Sequence, residues 1–461
     1  SVPWAGQGGA LMKRLIRAGL ILGILCILLL AAGAGLSWWI LRKLGTDTWV
    51  EQIERALPCR VEIADAKLGL FSSPARLTLK GLKLAPRDAE CTKPVAQRVP
   101  LPEGAAPIHV PEVVLEARLE DLLNRRLNVE KLRLISPQVS EAIDAQGRST
   151  LEPLFRQPTQ ADVAAAPPAP QPAAASAESA PSSGSFSFSM KSASIEGGSL
   201  RIENAGNTVQ VTGLDFELSG IDLDPANLAA HNKVTAKLAA AAVVTGQARI
   251  GGAKREARLA DVRLSGIGQI APLDPASGRW RPSTVMKLTL EPGSVLAGHM
   301  TMGDAAGKEM RKLLEYGIDL APVRVGGPLQ EAAVVEGSFQ ANRFSLLSDA
   351  RFVFPEYEVA LKRGSYLNAA ADTHEVELRL SCGPDLQGRL QQGLVKAKLG
   401  DSITRGLMKA LADERGRMTF DIESEGSLSD PQIKPKVDRI LKNLVRGEGL
   451  GDLLQGLLKK L

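Results

Sequence analysis

The sequence predicts a mainly β protein carried on one N-terminal transmembrane helix. Three observations predict it: a charge-free apolar run at residues 18–41, period-two alternation of apolar and polar residues along the rest of the chain, and few stretches of helical spacing, the strongest at the C-terminus. Antiparallel strands solvated on one face read this way, apolar inward and polar outward.

The 461 residues are 44% apolar, 23% charged and 4% aromatic. That is too apolar for wholesale disorder. A formal charge of +5, with no basic stretch interleaved with aromatics, argues against nucleic acid as a partner. Four scattered cysteines exclude a disulfide-dense mini-fold and a four-cysteine zinc cage, and four histidines leave little for a histidine-centred active site. The composition leans away from an enzyme.

The run from Ala18 to Leu41 holds 24 residues without a charge, Leu20 and Leu30 among them, with Trp38 and Trp39 near its far end. A helix of that length reaches about 36 Å, enough to cross a hydrocarbon core of about 30 Å. Lys13, Arg14 and Arg17 precede it, which predicts a cytoplasmic N-terminal segment at residues 1–17, and the tryptophans suit a membrane interface. Met12 reads as a natural start, with Ser1 to Leu11 an upstream extension. Ala32-Gly33-Ala34 resembles a signal-peptide cleavage site, but the apolar run continues past it, which favours an uncleaved anchor. The rest of the chain is then expected outside the cytoplasm. There Cys59 and Cys91 would either pair as a disulfide or stay as two buried thiols; spacing does not decide between them.

Residues 42–156 read as a first β module. Residues 157–185, rich in Pro, Ala and Ser, read as an extended linker or a long loop. Residues 186–431 carry the main sheet, and 432–461 an amphipathic helix with leucines at helical spacing. Alternation is clear at Val61/Ile63, Leu77/Leu79, Leu132/Leu134, Leu200/Ile202, Val209/Val211 and Val376/Leu378/Leu380. It changes phase at Gly81, between Leu77/Leu79 and Leu82/Leu84, which predicts a bulge or bend. Short helices are expected at Thr46 to Leu57, Arg118 to Leu127, Lys308 to Tyr316 and Ser402 to Leu411.

Roughly 25 short strands present more aliphatic surface than so few helices cover. Either two sheets pack together, or one curved sheet keeps an apolar trough. Periodicity does not choose, and a closed sandwich is the ordinary solution.

Motifs for small-molecule chemistry fail on inspection. Gly303 to Glu309 is one residue short of a phosphate loop and has Glu309 where a hydroxyl belongs. Gly266-x-Gly268-x-x-Ala271 is followed by Pro272 where a helix should start. Neither supports a nucleotide, and no cofactor or metal site is expected. Asp372, His374 and Glu375 read as an exposed turn leading into a strand rather than as ligands.

Four segments in order carry a likeness to a known family. They are RVEIADAKLGLFSSPARLTLKGLKLAPRD after the anchor, VPEVVLEARLEDLLNRRLNVEKLRLISPQVSEAIDAQGRSTLEPLF, SASIEGGSLRIENAGNTVQVTGLDFELSGIDLDP, and EGSLSDPQIKPKVDRIL near the end. Together they resemble the AsmA-like family, which includes AsmA and TamB. The resemblance implies a protein of the bacterial inner membrane with the bulk of the chain in the periplasm. It further implies a long, curved antiparallel sheet forming an aliphatic groove, and a role in phospholipid traffic and outer-membrane integrity. Membrane phospholipids are the implied partners, with envelope proteins as further ones. The groove candidates are then Val61, Ile63, Leu77, Leu79, Leu132, Leu134, Leu200, Ile202, Val209, Val211, Val376, Leu378 and Leu380. The alternative is a scaffold or assembly factor with a closed β core and no lipid passage.

Overall fold

The computed structural model describes residues 45–69, 73–118, 126–144, 148–155, 187–204, 206–223, 227–250, 253–303, 313–314, 318–368, 371–396, 401–427 and 431–435. Strand accounts for 60% of these residues. They fall into two compact units, one within Gly19–Asp222 and Val234–Lys237, the other within Leu223–Lys233 and Leu238–Leu461. The expected anchor, with Leu20, Leu30, Trp38 and Trp39, lies outside the described residues. Among the described residues no helix is long and apolar enough to cross a membrane.

In the first unit, helix α1 (Thr46–Ala56) leads to β1 (Cys59–Glu62), β2 (Asp65–Gly69) and β3 (Ala75–Pro86). Then come β4 (Ile108–Arg118), β5 (Arg126–Ile135), β6 (Gln138–Ile143), the single turn α2 (Glu152–Phe155), β7 (Ser187–Asn204) and β8 (Asn207–Leu223). β1 and β2 pair antiparallel with the two halves of β3, and β3–β4, β4–β5 and β7–β8 are also antiparallel. β5 and β6 pair parallel with successive halves of β7. The sheet is therefore mixed, where pure antiparallel pairing was expected. Parallel neighbours need a crossover of a dozen residues or more. The Pro/Ala/Ser segment at 157–185 supplies that connection between strands of one unit, and the division between units falls at Asp222 and Leu223 instead.

A crease runs across this sheet, along one register row from β3 to β7 and about two residues further on in β8. Gly81 on β3 takes φ +63°, Ser136 between β5 and β6 φ +50°, Gly197 on β7 φ +65° and Gly213 on β8 φ +57°. Gly81 lies opposite Pro111, and Ser136-Pro137 opposite Gly197-Gly198, where the ladder continues through Ser136 N–H to Glu196 O and Ser199 N–H to Pro137 O. The phase change foreseen at Gly81 is thus one of four. In each strand the extra residue keeps apolar side chains on the same face on both sides of the bend.

That face is closed. Trp49, Val50 and Ile53 of α1, with Leu57 just after it, share one buried core with Val61, Leu77, Leu79, Leu132 and Leu134, and Leu154 of α2 and the preceding Leu151 join it. The opposite face carries cross-strand ion pairs, Arg76 to Glu116 at 2.6 Å and Arg133 to Glu196.

The second unit holds most of β9 (Asn232–Ile250), then β10 (Ala253–Leu273), β11 (Trp280–Leu290), β12 (Val295–Thr301), β13 (Arg324–Pro328), β14 (Ala333–Gln340) and β15 (Arg343–Leu346). β16 (Ala350–Val353), β17 (Tyr357–Leu361), β18 (Tyr366–Asn368), β19 (Thr373–Cys382), helices α3 (Pro384–Lys396) and α4 (Asp401–Leu411), β20 (Thr419–Ser427) and β21 (Pro431–Pro435) complete it. Neighbours run β10–β11–β14–β15–β18–β19–β20–β21, antiparallel throughout. α3 and α4 close one end, burying Leu386, Leu390, Leu394, Leu407 and Leu411 against Leu380, Cys382, Phe420 and Ile422.

α1 and α4 match expectation within a residue. α3 was not foreseen. Residues 432–435, expected to begin the C-terminal helix, form β21 between Pro431 and Pro435. Proline lacks the N–H a helix interior needs and is tolerated on an edge strand. Residues 436–461 lie outside the described residues. The helix expected at Arg118 to Leu127 is strand at both ends, Arg118 closing β4 and Arg126 opening β5, and 119–125 are not described. Of Lys308 to Tyr316 only Leu313 and Leu314 are described, and both are helical.

Candidate functional site

The thirteen groove candidates do not form one open surface. Val61, Leu77, Leu79, Leu132 and Leu134 lie in the closed first core at 0–8% exposure, with Ile63 and Leu200 packed against it. Here the correction is geometric: α1 and α2 occupy the face on which a groove was expected. Ile202, Val209 and Val211 are buried as well. Leu380 belongs to the second core and Leu378 packs against it. Val376 alone among the thirteen is half-exposed and outside both cores.

The open aliphatic surface lies elsewhere, in the second unit. Between residues 235 and 312, no described Ala, Val, Ile, Leu, Met or Phe is buried. Register assigns the side chains of β10, β11, β14 and β15 to faces. One row reads Ile270, Thr284, Phe339, Phe344, then Leu367 of β18 and His374 of β19. The next reads Gly268, Met286, Gly337 and Leu346, and the third Gly266, Leu288 and Val335. Ile270, Met286, Leu288, Val335, Phe339, Phe344 and Leu367 are all half-exposed and outside both cores. A fourth row, Leu264, Leu290 and Ala333, runs into the second core, where Ala333 is buried. The aliphatic face is therefore continuous from a sealed end to an unsealed one.

The glycines shape this face. A β-carbon at Gly266 would stand 2.6 Å from Leu288 Cδ2, so the leucine lies flat over the gap. At Gly268 it would stand 2.8 Å from the Val285 carbonyl, because the two strands approach closely there. The Gly266–Gly268 pair that superficially resembled a dinucleotide loop is thus strand, with a packing role.

His374 is buried at 6% within β19, not in an exposed turn as expected. Its Nδ1 lies 3.1 Å from the Gly426 carbonyl and its Nε2 2.7 Å from Ser424 Oγ. A carbonyl only accepts, so Nδ1 carries the proton in that contact. The left-handed Asp372 (φ +52°) makes the turn. Among the described residues no group of three His, Cys, Asp or Glu is placed to hold a metal ion.

The opposite face of β10, β11 and β14 is polar, with Lys287 Nζ 3.5 Å from Glu336. It is interrupted by Ile267 and Val285, which are 52% and 56% exposed. In the first unit a cleft of about 380 Å³ is lined by Pro86, Pro107, Glu141, Arg201 and others. Of its two acids, Glu141 accepts from Ser149 Oγ at 2.6 Å and Glu203 pairs with Arg201, so its charges are internally satisfied.

Alternation located the strands but not the open surface, because Leu134 in a core and Leu288 on a trough present the same residue type to the same period. Glycines at every second position facing large side chains, Gly266, Gly268 and Gly337, were the signal in the sequence. No family model matches the chain, and neither a curated protein nor a solved structure matches it.

Proposed function

We propose that the chain is a membrane-anchored periplasmic protein that binds phospholipid acyl chains on the second unit's open aliphatic face and passes lipid between the inner and outer membranes. One observation carries the reading: seven aliphatic and aromatic side chains spread over three register rows, Ile270, Met286, Leu288, Val335, Phe339, Phe344 and Leu367, stay half-exposed and outside both cores. An acyl chain drawn from a bilayer loses about 0.8 kcal/mol per exposed methylene. A trough of this kind offsets that loss while a head group stays wet. The apolar segment at 18–41 and the likeness to AsmA-like proteins support the location and the lipid class.

A second reading, a scaffold that binds envelope proteins, is favoured by the exposed Ile267 and Val285 on the polar face. Lipid extraction separates the two. The full chain, purified in mild detergent, is extracted with organic solvent and its lipid identified by mass spectrometry. A variant carrying Phe339→Glu and Ile270→Glu, folded by circular dichroism, is expected to lose phospholipid that the unmodified chain retains. Equal lipid in both supports the scaffold.

A further inference from the structure

Cys59 opens β1 opposite Pro86 of β3, and from Pro86 the chain enters a 3-10 turn at Ala89–Thr92 that carries Cys91. Side chains tie that turn to β1 and α1. Asp88 accepts from Arg60 Nη1 at 2.5 Å through one oxygen. Its other oxygen accepts the Glu90 N–H at 3.0 Å and lies 3.8 Å from Cys91 Sγ. Arg98 donates to Glu54 Oε1 at 2.7 Å and, through its other terminal nitrogen, to the Cys91 carbonyl at 3.4 Å. That same Glu54 oxygen accepts the Val61 N–H at 3.0 Å, two residues from Cys59. The Cys91 backbone and the start of β1 are therefore gathered around one carboxylate.

Both cysteines are free thiols, Cys59 buried at 0% exposure and Cys91 half-exposed. Burial, then the Glu54 carboxylate, then Cys91 itself push the Cys59 thiol up to about 12. Burial raises Cys91 too, with Glu54 again contributing.

We propose that Cys59 and Cys91 are an intrachain disulfide site, closed by a small-molecule or protein disulfide donor that enters through Cys91. The Cys91 thiol gives its proton to solvent and its thiolate attacks one sulfur of the donor. The donor's S–S bond breaks, and one donor thiolate leaves and takes a proton. Cys59, deprotonated in turn, attacks the Cys91 sulfur and expels the second donor thiol. Two protein thiols are oxidised to one disulfide and one donor disulfide is reduced to two thiols. Closure fastens the Ala89–Thr92 turn to β1.

The test treats the folded full chain in mild detergent with oxidised glutathione at mildly alkaline pH, blocks residual thiols with iodoacetamide after denaturation, and digests with trypsin. The expected product joins the peptides 56–60 and 88–98, lighter by two hydrogens than their sum, with two of the four cysteines lost to alkylation. Circular dichroism is expected to be unchanged, and Cys59→Ala is expected to leave glutathione trapped on Cys91. Glutathione retained on Cys91 of the unmodified chain, alkylation of both thiols, or joining only in urea would each overturn the proposal. Cys382, buried in the second core, is expected to remain alkylatable in every arm.

Discussion

The ring of Phe344 lies over Gly337: a β-carbon at 337 would stand 2.3 Å from Phe344 Cζ and 2.4 Å from Cε2. Gly337 faces Leu346 in register, and Phe344 reaches it diagonally from two residues away on β15. Gly337→Val is expected to cost about 1–3 kcal/mol, the usual range for overpacking. Phe344→Ala on that background is expected to recover part of the loss. A double-mutant cycle in urea reads the coupling, and additive losses would place the ring elsewhere.

The two aliphatic faces are expected to answer a charge differently. Leu134 is 0% exposed within the first core, and Leu134→Glu would bury an unpaired carboxylate there. Loss of the cooperative urea transition of the first unit is the expected result. Phe339→Glu places its carboxylate on a half-exposed surface and should lower the unfolding free energy read from the urea transition by about 1 kcal/mol or less. Comparable unfolding by both variants would mean that the second face is sealed too.

Alkali is expected to weaken the fold through two thiols. Burial pushes Cys59 and Cys382 each up to about 12, from an ordinary value of 9.0. Between those values the native thiol keeps a proton that the unfolded one has lost. The stabilisation is complete below about pH 9 and disappears as pH rises toward about 12, at roughly 1.4 kcal/mol per pH unit for each thiol. Urea midpoints across that range check the slope, and Cys382→Ala should remove it from the second unit's unfolding while leaving the first unit's share.

Two substitutions at the crease are expected to act in opposite directions. Gly81 has φ +63°, and a β-carbon there meets Ala64 Cβ at 3.0 Å. Gly81→Ala should therefore cost about 1–2 kcal/mol. Ser136 holds φ +50° with a side chain, and Ser136→Gly should gain a fraction of that, up to about 1 kcal/mol. Thermal midpoints of the two variants moving the same way would contradict this account of the bend.

Local structure was largely legible in the sequence. Alternation found the strands carrying Leu77, Leu132, Val209 and Leu378, and the phase change at Gly81 located the crease. α3 escaped because Gly388 and Gly393 interrupt its Leu386, Leu390, Leu394 stripe. Parallel pairing of β5 and β6 with β7 escaped because it depends on where the chain returns after residues 157–185, a long-range matter on which a period of two is silent. The division of aliphatic surface into sealed and open parts escaped for a related reason. Whether Leu79 or Leu288 is covered depends on a helix from a distant part of the chain.

Leu77 and Leu79 reach the first core from odd positions, Leu82 and Leu84 from even ones; on β8 Val209 and Val211 are followed by Leu214, Phe216 and Leu218 in the same way. Each strand is thus read in two frames joined at a single residue. Deleting Gly81 or Gly213 would run the two frames together: Leu77, Leu79, Leu82 and Leu84, or Val209, Val211, Leu214 and Phe216, would stand at an unbroken two-residue spacing. The loss would fall on the bend that strand shares with its neighbours, not on which residues face the core.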